Sequence, residues 1–156
     1  MKPILIFLFI ISNIGIAFSQ TSGNARVDAL IKQQKQAKSG QFLFTVNGQK
    51  FTEKVNVIKS EKSYGIIGDL MESTRPLTIL FQTFTSGKHE LNSDKNVIGI
   101  HDKIYIIKGF LDLKSSGNQA SGTVSGTLFE INSKGKTSPT SSGNISGTLS
   151  GLIVNQ

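Results

Sequence analysis

Apolar and polar residues alternate along most of the chain after residue 40, in short runs that end at turn-forming residues. The first such run leads into Asn47 and Gly48, a pair that favours the tight turn of a β-hairpin because both residues tolerate positive φ. The pattern therefore predicts a hairpin over 41–58, with a bulge near Glu53, where the alternation slips. Its apolar positions are Phe42, Phe44, Val46, Phe51, Val55 and Val57.

A five-residue pattern occurs twice near the end of the chain, at 124–128 and 145–149, each time as aliphatic, Ser, Gly, Thr, Leu. A period of two places apolar residues on one face of a strand and hydroxyl groups on the other. The residues between the copies, 132–142, are typical of a loop. We therefore predict two antiparallel strands with Gly126 opposite Gly147. Inward-facing glycines favour a sheet that bends sharply, or one that leaves room for a bulky group.

Further alternating runs occur at 63–70, 77–84, 90–100 and 103–113, with turn residues between them. Within 90–100 a turn is predicted over 92–96, between a short strand and the strand 97–100. Strands that recur every roughly eight to twelve residues are typical of an antiparallel sandwich or barrel. The chain is therefore predicted to be all-β, an antiparallel meander of about eight strands that forms a lipocalin-like barrel or a sandwich. We expect one β-domain over 41–156.

The N-terminal residues 1–19 have the pattern of a secretory signal peptide, with Lys2 before the apolar run 4–11 and small residues near the end. Cleavage is predicted between Ser19 and Gln20. The apolar run is shorter than the ~20 residues that a membrane-spanning helix needs. The processed chain is expected to be periplasmic or secreted, and without cysteine it has no lipid-attachment point and no disulfide.

Residues 20–40 are predicted to form one short helix and a linker. A stripe at helical spacing runs along 22–39, Ser22 is suited to cap its start, and Gly40 to end it. The stripe consists of Val27, Leu30, Ile31, Gln34 and Ala37.

The formal net charge is +7, and its excess is concentrated between Gln20 and Lys62, where eight basic residues stand against three acidic ones. This region is either a solvated face or a surface for anionic polysaccharide, lipid headgroups or nucleic acid. Nucleic acid is not expected, because the phenylalanines lie at core positions and do not alternate with basic residues. The candidate contacts are Lys32, Lys35, Lys38, Lys50, Lys54, Lys59 and Lys62.

Motifs for catalysis, metals and cofactors are sparse. The two histidines could share a metal only if their turns lie side by side, and solvated side chains are the alternative. Those turns contain His89, Asp94, His101 and Asp102. No Gly-x-Ser-x-Gly or phosphate-binding motif occurs. We therefore assign no catalytic, metal-binding or cofactor-binding residue, and we expect no cofactor.

Two segments carry a family resemblance: Phe-Thr-Val-Asn-Gly-x-x-Phe at 44–51 and Ser-Gly-Thr-x-Ser-Gly-Thr-Leu at 121–128. In these segments the chain resembles a group of small exported bacterial β-domains of unknown function. Such domains often carry a lipid-attachment cysteine after the signal, which this chain lacks, and a tryptophan where Phe51 stands here. The resemblance implies an exported β-domain and no particular activity.

Three functional hypotheses follow. The first is a non-enzymatic exported domain that binds a small apolar ligand or an envelope partner, such as an anionic polymer, in its cavity or at a loop-rich end. The second is an envelope hydrolase that acts on polysaccharide or lipid through His101 and Asp102 or through a pair of carboxylates. The carboxylates considered are Asp69, Glu72, Asp112 and Glu130. The third is a surface-assembly subunit that uses an exposed edge strand.

Overall fold

Nine β-strands make up the regular secondary structure of this protein in a computed structural model that describes residues 40–69 and 75–154. No helix occurs in these ranges, and the predicted signal peptide, the predicted helix over 22–39 and residues 70–74 lie outside them. The strands are β1 Gly40–Val46, β2 Gln49–Lys59, β3 Tyr64–Gly68, β4 Leu77–Phe81, β5 Gly87–Leu91, β6 Val97–Ile100, β7 Lys103–Ser116, β8 Gln119–Ile131 and β9 Gly143–Ile153.

Eight of these strands close into an antiparallel barrel. The sheet order is β5-β7-β6-β4-β3-β2-β1-β9-β8, and an additional pairing of β7 with β8 closes the ring. The prediction of an all-β antiparallel fold is confirmed, and the barrel is the form that it takes. Within this ring the first and the last strand of the chain, β1 and β9, pair with each other, from Gln41 opposite Ser150 to Val46 opposite Ile145.

The ninth strand, β5, shares one edge of β7 with β6. Residues 87–91 pair with 109–113 of β7, whereas β6 pairs with 103–106. The predicted turn over 92–96 separates the two strands. Its last residue, Asn96, is buried and links three strands, because its Oδ1 accepts the Leu80 N–H at 2.7 Å and its carbonyl oxygen accepts the Ile107 N–H at 2.8 Å.

Large apolar side chains fill the inside of the barrel. An eight-stranded barrel is just wide enough for its inward side chains to fill the interior, and the alternating apolar residues of the sequence take those positions. Among the inward-facing residues that are buried are Phe42, Phe44, Val55, Ile66, Leu77, Ile79, Ile98, Ile107, Leu111, Leu128, Ile145 and Leu149.

The predicted hairpin of β1 and β2 is confirmed. Asn47 and Gly48 form its turn with φ of 49° and 85°, the combination that Asn-Gly accommodates. The Asn47 side chain also holds the loop between β8 and β9: Nδ2 donates to the Ser142 carbonyl oxygen and Oδ1 accepts the Asn144 N–H, both at 3.3 Å.

Replacing Asn47 by alanine is expected to lower the free energy of unfolding by about 2 kcal/mol. Alanine is less tolerant of positive φ, and two hydrogen bonds to the loop are lost. Chemical denaturation measures the change. Asn47→Asp is the matched control, because aspartate tolerates the same φ and keeps the acceptor for Asn144; it should lose less stability. Equal losses in the two variants would contradict this account of the turn.

The predicted register of the C-terminal repeat is wrong by two residues. Gly147 lies opposite Val124, and Gly126 lies opposite Ile145, so each glycine faces a larger residue. A methyl group added at Gly147 would lie 2.5 Å from the Phe44 Cβ. A shift of two keeps every side chain on its predicted face, which is why the alternation could not reveal it.

The bulge predicted near Glu53 is also wrong. The ladder of β1 and β2 is regular, with Phe42 opposite Glu53 and Phe44 opposite Phe51. Glu53 therefore points inward at an ordinary strand position, and it is an acidic residue at a core position that interrupts the apolar pattern. The register shift between β8 and β9 lies instead between Ala120 and Gly122.

The outer surface of the barrel has two unlike halves. Over β3, β4, β6 and the first part of β7, the outward-facing side chains are buried: Ile67, Thr78, Val97 and Ile106. Over β8 and β9 they are mostly exposed hydroxyl groups, and Thr45 of β1 and Thr52 of β2 extend this surface. We call this second half the hydroxyl wall and define it by Thr45, Thr52, Ser121, Thr123, Ser125, Thr127, Ser146, Thr148 and Ser150.

Candidate functional site

The two ends of the barrel differ in the length of their connections. One end, the loop end, contains the turns at 47–48 and 101–102, the long loop over 132–142 and the approach to β4 at Arg75. The other end, the turn end, contains the connections 60–63 and 117–118. Ligand-contacting residues are common on loops that a rigid scaffold positions, so the loop end is the first candidate.

A column of stacked aromatic rings leads from the core to the loop end. Phe42 stacks on Phe44 with ring centroids 4.7 Å apart, and Phe44 stacks on Phe51 at 5.2 Å. The three rings come from facing inward positions of β1 and β2. Phe42 and Phe44 are buried, whereas Phe51 is partly exposed, so the last ring of the column reaches the surface of the loop end.

A buried ion pair lies beside this column. The Glu53 carboxylate, 4% exposed, pairs with the Arg75 guanidinium. The same guanidinium lies over the Phe51 ring, 4.8 Å from its centroid, where it also gains cation–π attraction. Pairing offsets part of the cost of placing a charge inside the barrel. Arg75 thereby links the approach to β4 with the last ring of the column.

His101 lies next to Phe51 at the loop end. Its ring meets Phe51 edge-on, with centroids 6.1 Å apart and planes at 69°. Its Nε2 lies 3.4 Å from the Gln49 Oε1. His101 has a φ of 54°, so the two-residue turn between β6 and β7 aims this exposed side chain across the end of the barrel.

Lys103 and Glu130 form a second ion pair at the same end. The Lys103 Nζ donates to the Glu130 Oε2 at 2.9 Å. This hydrogen bond and the charge of Glu130 raise the pKa of Lys103. Both side chains are partly solvated, so this pair contributes less to stability than a buried one.

The turn end carries its own aromatic cluster. Tyr64 stacks on Phe81 at 5.8 Å and contacts Phe84 at 5.6 Å. His89 lies 5.5 Å from Phe81, and its Nε2 is 3.0 Å from the Thr85 carbonyl oxygen. Both ends of the barrel therefore have a histidine against a phenylalanine.

The two histidines lie far apart along β7. His89 pairs with Leu111, whereas His101 lies two residues before the start of this strand, so roughly 25 Å of strand separates them. They cannot share a metal ion as considered from the sequence. Across residues 40–69 and 75–154, no group of three or more His, Asp or Glu side chains could hold a metal.

Three of the four carboxylates considered for hydrolysis lie in the described residues, and these three are dispersed. Asp112 is exposed on the outer surface of β7, whereas Glu130 occupies the loop end beside Lys103. Asp69 is buried and accepts a hydrogen bond at 3.1 Å from Asn56. Glu72 lies outside the described residues. Asp112 faces the outside of the barrel and Glu130 faces the inside, so the two carboxylates do not form a pair across one groove.

Those candidate lysines that the structure describes do not form one cluster either. Lys50 and Lys54 lie on the outer surface of β2, next to Thr45 and Gln41 of β1, and so border the hydroxyl wall. Lys59 and Lys62 lie near the turn end. The others, Lys32, Lys35 and Lys38, lie outside the described residues, as does the predicted cleavage site between Ser19 and Gln20.

No family model, curated protein or solved structure matches the chain. The resemblance to small exported β-domains therefore stays a prediction. Within the part of the chain that the structure describes, no helix has the length and apolar character needed to cross a membrane.

Sequence reasoning missed the pair of Glu53 and Arg75. One signal was present, since the alternation of the strand places Glu53 on the same inward face as Phe51 and Val55. An acidic residue on an inward face predicts a buried partner, because an unpaired charge inside a core is costly. Nothing local in the sequence identifies that partner as Arg75.

Proposed function

We propose that the protein is an exported, non-enzymatic barrel that binds a small, mainly apolar ligand at its loop end. The observation that carries this proposal is the aromatic column, which ends in a partly exposed Phe51 with Arg75 on its face and His101 at its edge. A planar apolar ligand gains from stacking on such rings. The nearby amide and imidazole groups of Gln49 and His101 supply the few polar contacts that orient a ligand.

The loop end is a better place for the ligand than the deep interior. Inward side chains such as Phe42, Leu111 and Leu149 are fully buried and pack against one another. A ligand in the interior would have to displace them, whereas the loop end offers the partly exposed Phe51 ring, the planar Arg75 guanidinium over it and the His101 ring at its edge.

Neither alternative function has comparable support. A hydrolase needs a pair of groups that converge on one bond. Asp112, however, faces the outside of the barrel, whereas Glu130 faces the inside. The C-terminal strand offers no edge for the pairing that an assembly subunit needs, because β9 pairs with β1 on one side and β8 on the other. Among the described strands β5 pairs with β7 alone, but it is only five residues long. Binding at the loop end therefore remains the function with a specific arrangement behind it.

Titration with the uncharged dye N-phenyl-1-naphthylamine tests the proposal. The chain has no tryptophan, so dye fluorescence is recorded without indole emission. We expect saturable binding to the wild-type protein. Phe51→Leu removes the terminal ring but keeps an apolar side chain, and it should weaken binding about tenfold because ring stacking is lost.

Tyr64→Leu is the matched control, since it removes an aromatic ring of the turn end. Its affinity for the dye should equal that of the wild type. If Tyr64→Leu weakens binding as much as Phe51→Leu, or if the wild type binds no dye, the assignment of the site is wrong. Native mass spectrometry of protein from the producing cells then identifies any co-purifying ligand, and glycan hydrolysis by the same sample would instead support the enzyme.

A further inference from the structure

The hydroxyl wall is a regular array of polar groups. The pairing places residues of six strands in rows across the outer surface of β2, β1, β9, β8, β7 and β5. One row is Thr52, Leu43, Thr148, Thr123, Asp112 and Lys88, and the next is Lys50, Thr45, Ser146, Ser125, Phe110 and Glu90. With strands about 4.8 Å apart, each row spans roughly 24 Å along the curved surface.

We propose that the hydroxyl wall binds an extended acidic polysaccharide. Each serine or threonine hydroxyl both donates and accepts hydrogen bonds, which matches the hydroxyl groups of a sugar chain. Neighbouring side chains already hold one another in place, because the hydroxyl oxygens of Thr45 and Ser146 lie 3.0 Å apart. The array therefore presents partly ordered polar groups to a partner.

The charges on this surface favour an acidic partner over a neutral one. Lysines flank the hydroxyl groups on both margins, and among the described outward-facing residues of these six strands five lysines stand against two carboxylates. The lysines are Lys50, Lys54, Lys88, Lys108 and Lys114, and the carboxylates are Glu90 and Asp112. Such an imbalance attracts anionic groups to both margins of the wall.

Phe110 adds an apolar contact near the β5 margin of the array. Its side chain is 40% exposed on β7, and the Lys88 Nζ lies 3.8 Å from its ring centroid. An aromatic ring packs against the C–H face of a sugar, and Lys88 beside it can pair with an acidic substituent of the same sugar unit. This combination distinguishes a sugar acid from a simple polyanion.

The wall and the loop end are separate surfaces, so this inference does not rest on the ligand proposed for the loop end. Calorimetry or biolayer interferometry measures how tightly the full processed chain binds alginate, a polymer of sugar acids. Dextran is the neutral control polymer. Duplex DNA is the control polyanion, because its units do not expose sugar hydroxyl groups. We expect alginate to bind at least about tenfold more tightly than either, and binding to weaken with added salt because the lysines contribute.

The double variant Thr123→Val/Thr148→Val removes two central hydroxyl groups and keeps the shape of both side chains. It should weaken alginate binding about tenfold, the effect of losing two hydrogen bonds of ordinary strength. The matched control is Thr83→Val/Thr85→Val, which removes two exposed hydroxyl groups from the connection between β4 and β5 and should leave the affinity unchanged. Thermal melts verify that both variants are folded.

Three results would overturn the inference. If the wild-type protein does not bind alginate, an acidic polysaccharide is excluded as the partner of the wall. Equal affinity for duplex DNA and alginate shows that charge alone is recognised and that the sugar hydroxyl groups are not. Undiminished affinity of the Thr123→Val/Thr148→Val variant shows that the hydroxyl array takes no part.

Discussion

Phe42→Ala is expected to lower the free energy of unfolding by about 3 to 5 kcal/mol, the usual cost of replacing a large buried aromatic residue by alanine. Phe42 is completely buried, and it stacks on Phe44 at the base of the aromatic column. The substitution removes most of the side chain from a packed interior and leaves a cavity. Chemical denaturation with circular dichroism detection measures the loss.

Leu43→Ala is the matched control, because Leu43 is the next residue of the same strand and faces outward with 47% of its side chain exposed. Its effect should stay within about 0.5 kcal/mol. The contrast between two adjacent residues tests which face of β1 points inward. If Leu43→Ala costs as much as Phe42→Ala, the strand is not placed as described.

Gly109→Ala is expected to cost about 3 kcal/mol or more, because no room exists for a methyl group between β7 and β8. A Cβ at Gly109 would lie 2.1 Å from the Ser125 carbonyl oxygen and 2.5 Å from the Gly126 Cα. Both contacts are with backbone, which cannot move aside without breaking the longest ladder of the barrel. Overpacking of this kind commonly costs 1 to 3 kcal/mol and occasionally more.

Gly135→Ala provides the comparison for Gly109→Ala. Gly135 lies in the loop between β8 and β9 with a φ of 74°, and no atom lies within 4 Å of a Cβ there. Only the backbone conformation opposes the substitution, at a cost of about 1 kcal/mol. Similar stabilities for the two variants would show that β7 and β8 do not approach each other closely at Gly109.

Local chemistry explains why much of this fold can be predicted from the sequence. The turn at Asn47 and Gly48 follows from two residues that accept positive φ, and the inward residues of β4, Leu77, Ile79 and Phe81, follow from strict alternation. The break over 92–96 follows from a cluster of turn residues. Each of these features depends on neighbours within a few positions.

Features that depend on distant residues could not be predicted. The register of β8 and β9 depends on how Gly147 gives room to Phe44, which lies on a third strand. The partner of the inward-facing Glu53 is Arg75, which reaches it from the approach to β4. The outward-facing but buried Val97 and Ile106 follow no alternation at all. The loop-end site therefore became visible only when the strands were placed around the barrel.

The junction of β1 and β9 has a consequence for chain connectivity. Gly40 lies beside Gly151, so close that a Cβ on Gly40 would be 3.0 Å from the Gly151 carbonyl oxygen. A short peptide could therefore bridge from residue 154 back to residue 40, and the backbone could be opened within 132–142 instead. Such a circular permutant would keep the hydrogen-bonded ladders of β1, β8 and β9, so the stability of the ring does not require the native order of its strands along the polypeptide.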